Sequence, residues 1–540
     1  MLEPSPDYDR LVAAFRWAIP KRYNIGVDVC DRWAAAEPER IAVLDVGPDG
    51  RVTPLTYGGL RDASNRLANV LASQGVGVGD RVAILLPQGA TVPVAHVAVY
   101  KMGAVALPLA ALFGVDALGY RLADAGASAL ITNAAGLAKV TEIRADLPDL
   151  KTVLSVDGAD GSTLGLFEAL ERASPDFAPV DTGADDPALM IYTSGTTGTP
   201  KGVMLTHRNI LFIAVVSGAQ RALNADDLVY MVLPISHIFG LASTFLGTVN
   251  AGGALMMTPR FDPAHMAQAL EDGVTVFQGV PAMYARFLEL LDTEKRPFQA
   301  PRLRYLSCGG APLDLDWKRR IEDRFGLAVN NGYGLTEASP TISQTLIPEP
   351  RQDDTVGPAL PGVEVRFVGP EGADVPEGEI GELWARGPNV MKGYYRDPAA
   401  TAAALTPDGW LRTGDLGRRA PDGYLHLVGR LKELIIRSGF NVYPPEVEAA
   451  LNAHPEVVQS AVVGRRVSGN EEVVAFVEIT PGATTDAAAL KAFVRDRLAP
   501  YKRPERIFVV ERLPASATGK IQKHALTLMA ETLLAEKAPR

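Results

Sequence analysis

Cysteine is nearly absent: 540 residues carry two, Cys30 and Cys308. No disulfide framework can be built from them, and a reducing, cytoplasmic compartment is the expectation. An excess of basic residues is missing too. The chain has 63 acidic and 53 basic residues, a net charge of −10, which argues against nucleic acid as the main partner. The N-terminus, MLEPSPDYDR, has no apolar core, so no signal peptide is expected. The C-terminal KAPR carries neither a peroxisomal tripeptide nor a prenylation box. Two stretches lack charged side chains altogether, residues 82–100 and 228–259. The second is longer than a membrane span. It also holds Pro234, His237, Gly240 and Gly252-Gly253, which suit a buried strand–turn–helix lining an apolar pocket. No transmembrane segment is expected.

What is present is organised around residues 189–202, LMIYTSGTTGTPKG. An apolar run, Leu189 to Tyr192, reads as a short buried strand. It breaks into Thr193, Ser194, Gly195, Thr196, Thr197, Gly198 and, at the end, Lys201. Glycines let backbone N–H groups approach a ligand and form an anion-binding concavity. Three hydroxyls and a lysine add donors and charge, and no acid opposes them. The loop is built for a polyphosphate. It is not a Walker loop, because Pro200 stands where the second glycine is required.

This stretch resembles the phosphate loop of the adenylate-forming enzymes: acyl-CoA synthetases, peptide-synthetase adenylation domains and luciferases. The remaining motifs follow the order of that family from about residue 30 to 525. Strands at 81–86, 104–109, 129–132 and 189–193 alternate with helices near 91–102 and 115–124, which implies βαβ units and a parallel sheet. The Gly-x-Gly-x-Gly-Asp of residues 75–80 precedes its strand, so it reads as a turn and not as a nucleotide fingerprint. The fold class is α/β, with a large N-terminal domain over 1–430. A small α+β C-terminal domain, mobile in the family, is expected over 431–540.

Further along, Gly309-Gly310-Ala311 would let backbone approach a flat ring; the family's loop flanks adenine and the acyl pocket. Asn331, Gly332, Tyr333 and Gly334 place an aromatic between glycines, suited to a purine. Thr336 can donate to the α-phosphate, and Glu337 can hold Mg²⁺ through hard oxygens. Asp415 suits the two ribose hydroxyls, and Arg430, further along, is assigned to the ribose as well.

The resemblance implies further roles. His237 would wall the carboxylate pocket and act in catalysis. Phe239, Ser243, Gly310 and Gly334 would line the acyl pocket. Lys520, after a glycine-containing loop, would bridge the substrate carboxylate and the α-phosphate. Lys432 would be the hinge about which the small domain rotates, replacing Lys520 with Ser438, Gly439 and Phe440 for thioester formation.

The family implies ATP, Mg²⁺ and coenzyme A, with a small carboxylic acid as the other substrate. The acid-free run 228–259 offers nothing to hold an ammonium, so an apolar medium-chain or aryl acid is expected. GRLKELIIRSGFNVYPPEVE is similar to fatty-acyl and coumarate-type ligases, and FRWAIPKRYNIGVDVCDRW to medium-chain synthetases. The alternatives are a carrier-protein or oxygen acceptor, as in luciferases, and a non-catalytic ATP-binding homologue. A homodimer and an enzyme that acylates Lys520 complete the expected partners.

Overall fold

The computed structural model describes residues 8–193, 199–295, 298–467, 470–480, 482–515 and 521–535. Ser194, Gly195, Thr196, Thr197, Gly198 and Lys520 lie outside them.

Two eight-stranded sheets form the large domain. One is built on the strands Arg81–Leu85, Val105–Pro108, Ala127–Thr132 and Thr152–Ser155, all parallel. The other is built on Leu228–Met231, Ala254–Met257, Val276–Gly279, Tyr305–Cys308 and Val329–Gly334, also parallel. Their strands read as continuous apolar runs because both faces are covered. One buried cluster joins Ile84 and Ala106 of the first sheet to Met231 and Leu255 of the second. The helix Thr91–Lys101 belongs to it and is buried from Val92 to Lys101. Burying Lys101 is tolerable because its ammonium is paired: Nζ lies 2.5 Å from Asp31 and donates to Ser64 at 3.1 Å and Asn65 at 2.8 Å.

The uncharged run 228–259 forms the expected strand–turn–helix. Its strand Leu228–Met231 leads through Pro234 and His237 into a helical stretch from Phe239 to Ala251, then the strand Ala254–Met257. No helix among the described residues is long and apolar enough to cross a membrane. The Gly75–Asp80 segment is indeed a turn between the helix Tyr57–Ser73 and the strand Arg81–Leu85.

A third, antiparallel sheet follows: Glu364–Val368, Gly381–Arg386, Leu411–Arg419 and Leu425–Arg430. Beyond it lies a small α+β domain. The strands Val457–Val467, Asn470–Ile479 and Arg506–Val510 carry the helices Pro444–Asn452, Ala487–Arg495 and Lys523–Ala535. Its two buried clusters, one around Ile435, Val462 and Val477 and one around Phe476 and Leu526, contain no residue of the large domain.

Candidate active site

The strand Pro187–Thr193 does not run on into a helix. It turns back as a hairpin with Lys201–Thr206, and Thr193 stands opposite Lys201. The two residues therefore sit side by side at the mouth of the phosphate-loop segment. Lys201 Nζ lies 5.2 Å from the centre of the Tyr394 ring, within cation–π range. The Tyr394 hydroxyl donates to Glu337 Oε1 at 2.9 Å. Burial, then the Glu337 carboxylate, raises the Tyr394 phenol well above its usual range. It stays protonated and keeps donating. Tyr394 is held in place by backbone pairing of Gly393–Tyr394 with Met204 and Val203, next to Lys201 on the same hairpin. This residue, which nothing in the local sequence marks, connects the hairpin to Glu337.

Asp415 is 4% exposed. Tyr333 donates its hydroxyl to Asp415 Oδ2 at 2.6 Å, and Arg430 Nε lies 3.0 Å from Oδ1. The carboxylate is fixed in position by strand neighbours, since Asp415 and Arg430 pair across the antiparallel sheet. Tyr333 keeps its proton, because burial and then Asp415 raise its pKa far above the phenol value. The Asn331 side chain is tied to nearby backbone: its amide donates to the Thr355 carbonyl at 3.0 Å, and its Oδ1 accepts from Gly332 N. Gly334 has no room for a side chain, because a Cβ there would lie 2.0 Å from the Pro340 carbonyl oxygen. Gly309 backs onto Phe239, where a Cβ would come 3.3 Å from the ring.

One continuous cleft of about 3590 Å³ joins these groups. Thr193, Lys201, His237, Phe239, Gly309, Gly310 and Ala311 line it. So do Asn331 through Glu337, Asp415, Arg430 and Lys432. His237 is half-buried, and its Nδ1 accepts from the Phe239 amide at 3.2 Å. Burial, then the nearby Arg430, holds the Lys432 ammonium below the usual lysine range. Ser243 departs from expectation. It is fully buried behind the cleft wall, its hydroxyl 3.4 Å from Thr341 Oγ1, because the helical turn from Phe239 points it into the core.

The small domain closes the cleft with Ala515, Ile521, Gln522, Lys523 and His524. These flank the segment carrying Lys520. Lys523 Nζ bridges Glu433 Oε2 at 3.0 Å and Glu448 Oε1 at 2.9 Å. Ser438, Gly439 and Phe440 do not line the cleft; the Phe440 ring stacks on Tyr501, 4.7 Å between centres. The domain therefore presents one of its two candidate edges and turns the other away.

Residues 30–395 match the AMP-binding enzyme family, and residues 446–520 match the AMP-binding enzyme C-terminal domain. A feruloyl-CoA synthase of Amycolatopsis sp is 39% identical over 497 residues, 91% of this chain and 96% of that protein. A medium-chain fatty-acid–CoA ligase of Escherichia coli K12 is 33% identical, covering 92% and 89%. The crystal structure of ATP-bound MatB from Rhodopseudomonas palustris superposes with a TM-score of 0.85 at 35% identity, covering 94% of this chain and 99% of that one.

Proposed function

The chain belongs to the AMP-binding enzyme family and is an acid–CoA ligase that uses ATP, Mg²⁺ and CoA; on that premise we propose that it activates an aryl acid as the acyl adenylate and then passes it to CoA. The observation that carries this reading is the single cleft. It gathers the phosphate hairpin, the Tyr394–Glu337 pair, the Asp415–Arg430 pair and the flanks of the Lys520 segment beside an uncharged wall.

The reaction joins two anions, so positioning and charge neutralisation supply most of the catalysis. Asp415 accepts from the ribose hydroxyls while Tyr333 and Arg430 hold it. The hairpin loop and Lys201 bind the β- and γ-phosphates. Among the described residues no group of three or more metal-binding side chains is assembled. One carboxylate plus substrate phosphates and water is a donor set that suits Mg²⁺. Glu337 would hold it, and its charge would offset that of the pyrophosphate. Lys520 bridges the substrate carboxylate and the α-phosphate. A carboxylate oxygen bonds to the α-phosphorus, the α–β bridging bond breaks, and pyrophosphate leaves.

The second step needs a different edge of the small domain. We place the domain boundary between Arg430 and Leu431 and the hinge at Lys432. Rotation there withdraws Lys520 and brings in Ser438, Gly439 and Phe440. The CoA thiolate bonds to the acyl carbonyl and AMP departs with its oxygen.

The aryl assignment rests on likeness to the feruloyl-CoA synthase and on the apolar wall from Val232 to Gly240. A medium-chain aliphatic acid is the second reading, favoured by the absence of charge throughout 228–259. The test is a panel of acids with ATP and Mg²⁺, with and without CoA, followed for AMP, pyrophosphate and thioester. Aryl acids should exceed acetate by tenfold or more in kcat/KM, since each buried methylene contributes about 0.8 kcal/mol. Acetate or an amino acid as best substrate overturns the apolar pocket. Adenylate without thioester points to a carrier or oxygen acceptor.

A further inference from the structure

Deep in the cleft, behind Gly309 and Phe239, the apolar wall gives way to a set of buried hydrogen-bond donors. Arg221 is 4% exposed and lines the cleft. Its Nη1 donates to the Ser243 carbonyl at 2.8 Å, and the Tyr305 hydroxyl lies beside it. Among the described residues it has no carboxylate partner. Buried guanidinium groups almost always have one, because an unpaired charge is costly to bury. One helical turn before it, Ser217 donates to Gln344 Oε1 at 2.9 Å. This orients the Gln344 amide and leaves its Nε2 buried without a partner, although Gln344 lines the cleft and is 3% exposed. Ser307 Oγ is likewise buried, lines the cleft and makes no well-formed hydrogen bond.

The strand Tyr305–Cys308 sets the order of these groups. Alternate residues share a face, so Ser307 and Tyr305 point the same way. They lie about 7 Å and about 13 Å back from Gly309 along the strand. The floor thus begins two residues below the loop at the mouth and deepens toward Arg221. Every member can donate, and two of them, the guanidinium and Gln344 Nε2, can only donate. Burial also holds the Arg221 guanidinium below its usual range, as expected of a charge without its counter-ion.

We propose that this floor of Arg221, Tyr305, Ser307 and Gln344 selects acids that carry an oxygen acceptor at the end remote from the reacting carboxylate, with an anionic oxygen preferred. The inference rests on the ligase reading above and refines its substrate. The walls hold an aromatic or short aliphatic frame, and the floor pairs with its far substituent. An apolar end would leave Gln344 Nε2 and Ser307 Oγ without a partner and the guanidinium without a counter-ion.

The test uses matched pairs of acids, 4-carboxy and 4-methyl, on benzoic, phenylacetic and cinnamic frames of increasing length. AMP release is measured with the full-length enzyme. On the frame whose length reaches the floor, the 4-carboxy acid should exceed the 4-methyl acid by about tenfold or more in kcat/KM. Arg221→Met keeps volume and removes the donors, so the ratio should fall to one or below while the 4-methyl acid is still turned over. Arg221→Lys should keep part of the preference. Gln344→Leu removes a neutral donor and leaves the guanidinium in place, so it should narrow the ratio while the 4-methyl acid is still turned over. Equal or reversed preference in the wild type on all three frames overturns the proposal. So does an equal loss for both members of a pair in Arg221→Met and Gln344→Leu, which would mark the floor as structural and filled by water. Turnover of other carboxylates without selectivity fails the floor and leaves the ligase reading standing; no AMP from any acid fails both.

Discussion

The two walls of the cleft are held by different means. On the large-domain side, Asp415 has both oxygens engaged and is 4% exposed. Gly334 stands against the Pro340 carbonyl with no free space. Displacing these groups means breaking sheet hydrogen bonds and opening a packed core. On the small-domain side, above its own buried clusters, the groups beside the cleft are tied by ion pairs near the surface. Lys523, with 23% of its side chain exposed, lies between Glu433 and Glu448. Phe440 is 54% exposed. The difference teaches that the groups proposed to bind ATP are built into a fixed frame, whereas the groups proposed to change between half-reactions sit beside ion pairs that are cheap to exchange.

The largest effect should come from removing Lys520, the lysine that the small domain is proposed to deliver. Lys520→Ala is expected to reduce acid-dependent pyrophosphate exchange on the order of 10³-fold, the size typical of a lost charge-stabilising group. Thioester formation from supplied acyl adenylate should survive. Loss of both steps together would break the comparison, because Lys520 would then serve a wall that does not change.

Next is the hinge. Proline fixes φ and removes an N–H. Lys432→Pro should leave adenylate formation nearly intact and slow the thioester step on the order of 10²-fold, as a misplaced acceptor does. Lys432→Ala should change little. Single-turnover measurement of each half-reaction separates hinge arrest from misfolding, which would lower both steps and the melting temperature.

Sequence alone reached much of the frame, because its cues are local. The runs Arg81–Leu85 and Ala127–Thr132 are continuous and apolar, so their strands can be recognised without any partner. The hydroxyl-rich loop, Thr336-Glu337 and Asp415 are compact motifs, and the cleft brings their described members together. What stayed hidden depends on distant contacts. That Lys201 faces Thr193 across a hairpin follows from antiparallel pairing, which the loop residues do not encode. Tyr394 reaches Glu337 from 57 positions away. Arg221 ends a helix and lies just outside the uncharged run that implied an apolar pocket, yet its side chain folds back beneath it. Ser243 fails for the converse reason: it sits near His237 in sequence, but the helical turn sends it into the core.

Acid should distinguish the walls by stability. Burial lowers the pKa of His96 to about 3 and of His207 to about 4, against about 6.5 when unfolded. Between these values the unfolded chain binds more protons, so stability falls as pH drops. Their contribution is complete above pH 6.5 and is lost progressively below it, by about 1.4 kcal/mol per pH unit for each ring. Both histidines belong to the large domain, so the melting temperature of that domain should fall further than that of the small domain between pH 7 and pH 5 in calorimetry. His96→Gln should flatten the slope. A small-domain transition that falls further than the large-domain one would contradict the assignment of the deeper burial to the fixed wall.

The smallest effect concerns Lys523. Burial disfavours its charge, but Glu448 and then Glu433 outweigh burial and raise its pKa. A raised lysine contributes stability that is present below its unfolded value, near 10.4, and is lost only as pH rises through the higher folded value. Its contribution is therefore constant at neutral pH. Lys523→Met keeps a stem of similar length and removes only the ammonium. Glu433 and Glu448 are left as partly exposed neighbours that water can solvate. The loss should be about 1 kcal/mol, between the values for surface and buried pairs. It should appear as a lower melting temperature of the small domain that raised salt diminishes. Since Glu433 follows the proposed hinge by one residue, releasing it should leave adenylation nearly unchanged and the thioester step unchanged or faster. A drop in adenylation as large as that of Lys520→Ala would mean that Lys523 also touches substrate. The small-domain wall would then be fixed as firmly as the large one, and the contrast between them would fail.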